Sequence, residues 1–157
     1  MDAPLYNAEI LRLAAAISHA GRLDDPHATA RRTSPVCGSR VTVDVKVDRD
    51  GRITHYGQDV RACALGQASA AILGSGIIGE TAVSLARAHG LLAAWLKGDA
   101  LKGEGSLPAE LAARFPRLAL FEPARAHPAR HASICLSFEA AAAAAAEAAQ
   151  LTPAGHA

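Results

Sequence analysis

The sequence predicts an α+β fold, a small three-stranded antiparallel sheet packed against several helices. Three observations carry this. Val41, Val43, Val45 and Val47 alternate with Thr42, Asp44 and Lys46, the period of a half-buried strand. Asp50-Gly51 follows, a hairpin signal that returns the chain antiparallel. On both sides of this block the apolar residues recur at helical spacing.

Taken in order, a first helix is expected from about Tyr6 to His19. Tyr6, Ile10, Leu13 and Ile17 share a face, and Gly21 stands where a left-handed cap belongs. Residues 22–36 read as a polar connection broken by Pro26 and Pro35. After the valine strand, Arg52 to Tyr56 runs back, and a weakly marked third strand is expected around Gln58 to Ala62. Beyond Cys63, Leu65, Ala68, Ile72 and Leu73 make a buried helical face that ends at Gly74-Ser75-Gly76. Thr81 caps the next helix, with Leu85, Leu92, Trp95 and Leu96 as its stripe and Gly98 as its end. Residues 98–130 hold several Pro and Gly and read as irregular, with one short helix near Pro108 to Arg114. The last helix is expected over about Ser133 to Gln150, because its alanine run has the highest helix propensity. Pro153 and Gly155 predict a frayed tail over 151–157. No repeat or linker is visible, so 1–157 is read as one domain.

Composition excludes several classes of function. Aromatics are 4% of the chain, too few for the stacking platforms of single-strand binders. A formal charge of +1 gives no basic footprint for nucleic acid or a membrane surface. No apolar run is read as bilayer-spanning and the N-terminus has no secretory pattern, so the expected location is cytoplasmic. Three cysteines leave one unpaired in any disulfide framework, and in a reducing compartment they point to metal ligands, reactive thiols or core residues.

Cys37 lies in a Pro-x-Cys-Gly loop before the first strand, and Cys63 lies where the last strand meets a helix N-terminus. Free N–H groups and the helix dipole favour a thiolate there, the soft ligand that zinc and iron–sulfur clusters need. Loops converging at one end of a sheet can join these two residues, 26 apart in sequence. A bare pair of cysteines is a weak signal and favours core packing, because free Cys is so often simply buried.

The flanking residues add to this. Ser34-Pro35-Val36-Cys37-Gly38, the valine hairpin, and Ala62-Cys63-Ala64-Leu65-Gly66-Gln67-Ala68-Ser69-Ala70 resemble iron–sulfur assembly scaffolds of the IscU/SufU type, the NifU N-terminal domain. That family carries Pro-x-Cys-Gly-Asp and then Gly-Cys-x-x-x-x-Ala-Ser, followed by a helix. Arg130 to Ala140 resembles its Arg-x-x-Cys-x-x-Leu-x-Trp segment, with Leu136 and Phe138 at the Leu and aromatic positions. The resemblance spans Tyr6 to about Gln150. It implies a scaffold, a binding module rather than an enzyme, that takes sulfur from a cysteine desulfurase and iron from a donor. Such a scaffold assembles a [2Fe–2S] cluster and passes it to recipient proteins; in the SufU branch the same cysteines hold zinc and relay persulfide sulfur. On this chain Cys37 and Cys63 would be the thiol ligands or acceptors.

The sequence departs from the family at several positions. Ser39 replaces the Asp of the first motif, and a hydroxyl is a poor ligand. Aligning Leu136 and Phe138 puts Ser133 at the third thiol position and Ala132 at the neighbouring His. Cys135 is displaced by two residues, about 200° around a helix. Pro123 to Arg130 has no counterpart of the Leu-Pro-Pro-Val-Lys motif of the IscU branch. Cys135 therefore has two readings: a small core residue, or, with His131 one turn earlier, part of a Cys/Cys/His/Cys metal site.

Other candidates read as structural. His27, His55 and His127 are loop residues expected to be solvated. Gly74-Ser75-Gly76 lacks the Lys-Ser/Thr of a phosphate loop. Asp24-Asp25, Asp48 and Asp50 suit turns. Arg40 and Arg61 either favour thiolates nearby or simply flank the sheet. The alternatives to a scaffold are a degenerate paralogue that acts through protein contacts alone, and a thiol enzyme using Cys37, for which no His/Asp framework is present.

Overall fold

The computed structural model describes residues 5–35, 38–98 and 105–151. Cys37 and the tail from 152 onward lie outside them, so the expected fraying falls almost wholly beyond the described residues. The order is α1 (Ala8–Ala14), β1 (Ala28–Thr33), β2 (Arg40–Val47), β3 (Ile53–Arg61), α2 (Ala64–Gly76), α3 (Ala82–Lys97), α4 (Ala109–Arg114), two 3₁₀ segments (Pro116–Ala126 and Pro128–Arg130) and α5 (His131–Leu151). The three strands form one antiparallel sheet in the order β1-β2-β3, as the α+β reading requires.

The hairpin follows from its turn residues. The Asp48 carboxylate accepts from the N–H groups of Asp50 and Arg52, both at 2.9 Å, and Gly51 takes a positive φ of 81°. Helix caps hold where the sequence put them at α3, whose Thr81 and Ser84 form a reciprocal capping box. The stripes of α2 and α3 are buried in full: Leu65, Ala68, Ile72, Leu73, Leu85, Leu92, Trp95 and Leu96.

Three elements differ from expectation. The polar connection of 22–36 contains β1, whose inward residues are only Ala28 and Ala30. The expected second and third strands are one, β3, running through Gly57; a Cβ there would lie 2.7 Å from the Gly21 carbonyl oxygen. Gly57 thus permits a close backbone approach instead of ending a strand. Finally, α1 stops at Ala14, because His19 and Gly21 bond through their backbones to Gln58 on the edge of β3. Gly21 has its positive φ, 108°, but as part of that bridge and not as a helix cap.

The valines of β2 face the helices, and α5 packs against β1, β2, α2 and α3. Pro128–Gln150 is long and apolar enough to cross a bilayer, contrary to the sequence reading, yet over half of it is buried inside the fold. It is the core helix. The opposite face of β2 is covered too, since Asp44 is fully buried there. Its carboxylate accepts from Arg22 (2.6 and 3.1 Å), the Leu23 N–H (3.0 Å) and the Thr29 hydroxyl (2.5 Å). This fastens the chain between α1 and β1 across the sheet.

Candidate functional site at one end of the sheet

The pairing register gathers the site. Thr33 opposes Arg40 and Arg40 opposes Arg61, so the β1–β2 turn and the exit of β3 lie at the same end of the sheet. The turn is closed by Ser34 N–H to Ser39 carbonyl (2.8 Å) and Gly38 N–H to Ser34 carbonyl (2.9 Å). Gly38 adopts φ 74°, a conformation that favours glycine. Ser39 is buried beside it. Cys37 lies within this turn in sequence and outside the described residues.

Cys63 leaves β3 and becomes the N-cap of α2. Its side chain caps no N–H of that helix, and its carbonyl accepts from Gln67 (2.9 Å). The half-buried thiol instead lies 3.3 Å from the Ser133 hydroxyl on α5, a side chain only 2% exposed. Two residues of the Cys63 motif make this contact possible. A Cβ at Gly66 would stand 2.7 Å from both the Ala62 Cβ and the Ser133 Oγ, so only glycine lets α5 come this close. Ser69 donates to the Ile134 carbonyl at 2.6 Å and fixes α2 against the start of α5. In the family motif Ser69 is a fixed letter and Gly66 falls on an open position, so the motif by itself assigns neither a role. A helical glycine and serine one turn apart, on the buried face after a site cysteine, were the available signal.

His131 and Cys135 occupy different surroundings. Both line a pocket of about 510 Å³ together with Ser34, Lys97, Arg125 and Glu139, and Cys63 is not among the lining residues. His131 Nε2 donates to the Ala124 carbonyl at 2.9 Å. Cys135 is 8% exposed, and burial, with a smaller contribution from Glu139, pushes its thiol up to about 12. At neutral pH it is therefore a protonated thiol.

The remaining candidates are dispersed. His27 Nδ1 accepts from the Val47 N–H, exposed His55 bonds to Thr54, and His127 is exposed. Arg61 makes a loose pair with Asp59 at 3.9 Å. Among the described residues no three of His, Cys, Asp and Glu come together in a way that would hold a metal ion.

Residues 5–94 match the sequence profile of the NifU-like N terminal domain. The chain belongs to that family. A NifU-like protein (N-terminal) from Brucella abortus is 38% identical, with 93% of this chain and 95% of that one superposed at a TM-score of 0.81. Two more distant structures share the fold. The SUF-system protein FiSufU from Fervidobacterium islandicum AW-1 is 18% identical, with 90% and 96% of the chains covered at a TM-score of 0.76. A hypothetical protein solved at 2.3 Å is 20% identical, with coverage of 90% and 97% and a TM-score of 0.75. No curated protein matches the sequence. Within the NifU-like family profile lie Ser39, Cys63, Gly66 and Ser69; Ser133 lies beyond its matched end at residue 94.

Proposed function

We propose that this NifU-like chain is an iron–sulfur assembly scaffold or sulfur acceptor that carries its cargo on Cys37 and Cys63. The family supports this reading, as does FiSufU, described as a proposed iron–sulfur cluster assembly scaffold for the SUF system. The observation that carries it is the 3.3 Å contact of Cys63 with Ser133, at the sheet end where the turn containing Cys37 closes. Cys63 is half-buried, reachable by a partner yet held by two helices.

A thiolate at Cys63 attacks the outer sulfur of a cysteine desulfurase persulfide. The desulfurase S–S bond breaks, its cysteine leaves as a thiolate, and Cys63 becomes the persulfide. Cys37 and Cys63 would hold iron, a [2Fe–2S] cluster or zinc as cargo, to be passed on to recipient proteins in the cytoplasm. Ser39 and Ser133 stand in the other ligand positions, and their neutral hydroxyls hold soft metals weakly. Weak closure of the site suits a carrier that must release what it holds, and nothing in this role requires turnover by the chain itself. The same two hydroxyls favour the second reading, a paralogue without cluster binding that acts by protein contacts.

Zinc and iron measured on the anaerobically purified protein and on single variants separate the readings. Cys63→Ala is expected to lose bound metal, while Cys135→Ala retains it. Metal unchanged in Cys63→Ala, or lost only in Cys135→Ala, overturns the assignment of Cys63.

A further inference from the structure

We propose that the outer face of the sheet, at the end where the candidate site lies, docks the sulfur-donating protein through a carboxylate-rich surface received by Arg31, Arg40 and Arg61. This rests on the sulfur-acceptor reading above and adds to it the surface by which the donor is held.

Strand alternation brings the three arginines together. Val41, Val43 and Val45 face the helices, so Arg40 and Thr42 face outward. The register sets Arg61 of β3 directly opposite Arg40, and Arg31 of β1 opposite Thr42, one diagonal step from Arg40. Arg31 Nε donates to the Thr42 hydroxyl at 3.3 Å, in keeping with the shared face. Farther along the strands, Arg22 and Leu23 cross this face over Asp44, and Gly57 leaves room for them. That crossing stops short of the arginines: Arg31 is exposed, Arg40 is half-buried and the Arg61 side chain is 67% exposed.

Like charges on directly opposed residues destabilise a sheet. The nearby carboxylate, Asp59 opposite Thr42, reaches Arg61 only loosely, at 3.9 Å. Among the described residues no ion pair engages Arg31 or Arg40. This end of the face is therefore cationic, although the whole chain balances 16 basic residues against 15 acidic ones. A surface that brings carboxylates relieves the repulsion and gains charge-assisted hydrogen bonds.

Position and surroundings select the partner. Arg40 follows the turn that contains Cys37, and Arg61 stands two residues before Cys63. A protein that transfers sulfur to the half-buried Cys63 must close over this end of the sheet. No aromatic ring stands there for bases to stack on, and the exposed large apolar side chains, Tyr6, Leu11, Ile78 and Val83, lie outside the sheet. An acidic protein surface thus fits better than nucleic acid or a bilayer.

Binding of the full chain to a cysteine desulfurase, measured by biolayer interferometry without L-cysteine over a salt series, tests this. The wild type should bind with an affinity that falls about tenfold between about 0.05 and 0.5 M salt. Arg40→Gln/Arg61→Gln should weaken binding about tenfold at low salt, mostly through slower association, and flatten the salt dependence. The same variant should melt at or above the wild-type Tm, because it removes a like-charge pair; arginines with a purely structural role would lower it. Arg31→Gln, which leaves that pair in place, should weaken binding a few-fold. Arg117→Gln, the same loss of charge on the first 3₁₀ segment, should change nothing. Affinity unmoved in the double variant, an equal loss in Arg117→Gln, no binding by the wild type, or equally tight binding of a DNA duplex overturns the proposal. Adding L-cysteine separates it from the reading it rests on. Slower sulfur transfer in the double variant, recovered at saturating desulfurase, supports docking; transfer at the wild-type rate overturns docking and leaves the acceptor role standing. Binding lost in the variant, with no sulfur ever found on the wild-type Cys63, supports docking and overturns the acceptor role.

Discussion

Ser133→Cys is expected to raise zinc affinity by about tenfold or more, which corresponds to roughly 1.4 kcal/mol. The native hydroxyl already lies 3.3 Å from the Cys63 sulfur, with Gly66 leaving no bulk between the helices. A thiolate in that place adds a soft ligand without moving the backbone, whereas a hydroxyl must lose a proton of much higher pKa to bind. Competition with a chromophoric zinc chelator, under reducing conditions that prevent a disulfide with Cys63, gives the ratio directly. Moving the thiol from 135 to 133, as Cys135→Ser/Ser133→Cys, should keep the gain. An affinity no greater than wild type would mean that position 133 does not face the metal.

Asp44→Ala is expected to lower stability by about 3 kcal/mol. The side chain is fully buried, and its removal loses the bonds to the half-buried Leu23 N–H and the Thr29 hydroxyl, each about 1–2 kcal/mol, although the exposed Thr29 regains part of its share from water. Arg22 is half-exposed and turns to water, which keeps the cost below that of stranding a buried cation. For a chain of this size the loss corresponds to a fall in Tm of about 10 °C, readable by calorimetry. Asp44→Asn should fall between, because it keeps the shape and loses the charge. The same site sets a pH dependence. Burial pushes the Asp44 carboxyl up, but the bonds from Arg22, Thr29 and the Leu23 N–H together hold it below the usual carboxylate range. A depressed folded-state value stabilises the protein above the unfolded value, and that stability is lost as pH falls through the folded one. The Tm of Asp44→Ala should therefore fall less steeply as pH is lowered through the acid range than that of the wild type. A Tm within about 3 °C of wild type would contradict the role given to Asp44.

The parts of the fold that were legible in the sequence are those where pattern and packing agree. The valine alternation of β2 and the stripes of α2 and α3 each bury large side chains on one face. β1 was not legible, because its inward residues are Ala28 and Ala30, too small to mark a period. They are small because the alanine-rich α5 packs directly on β1. Gly21 was read as a helix cap, yet its carbonyl meets Gly57, 36 positions away, in a contact that no local rule contains. At the site, alignment of Leu136 and Phe138 with the family segment put Ser133 at the third thiol position and left two readings of Cys135. The half-turn between them puts one hydroxyl against Cys63 and one thiol in the pocket. The pocket itself was invisible in sequence, since Ser34, Lys97, Arg125 and Glu139 come from four separate stretches of chain.

In the proposed function Cys37 and Cys63 accept sulfur. Intact-mass and peptide mapping of the full chain, after anaerobic incubation with a cysteine desulfurase and L-cysteine, tests it most directly. One added sulfur is expected on Cys37 or Cys63, none on Cys135, and visible-region cluster absorbance once ferrous iron is supplied. Absence of both added sulfur and cluster absorbance, with the desulfurase active toward another acceptor, would contradict it and leave the paralogue that acts through protein contacts alone.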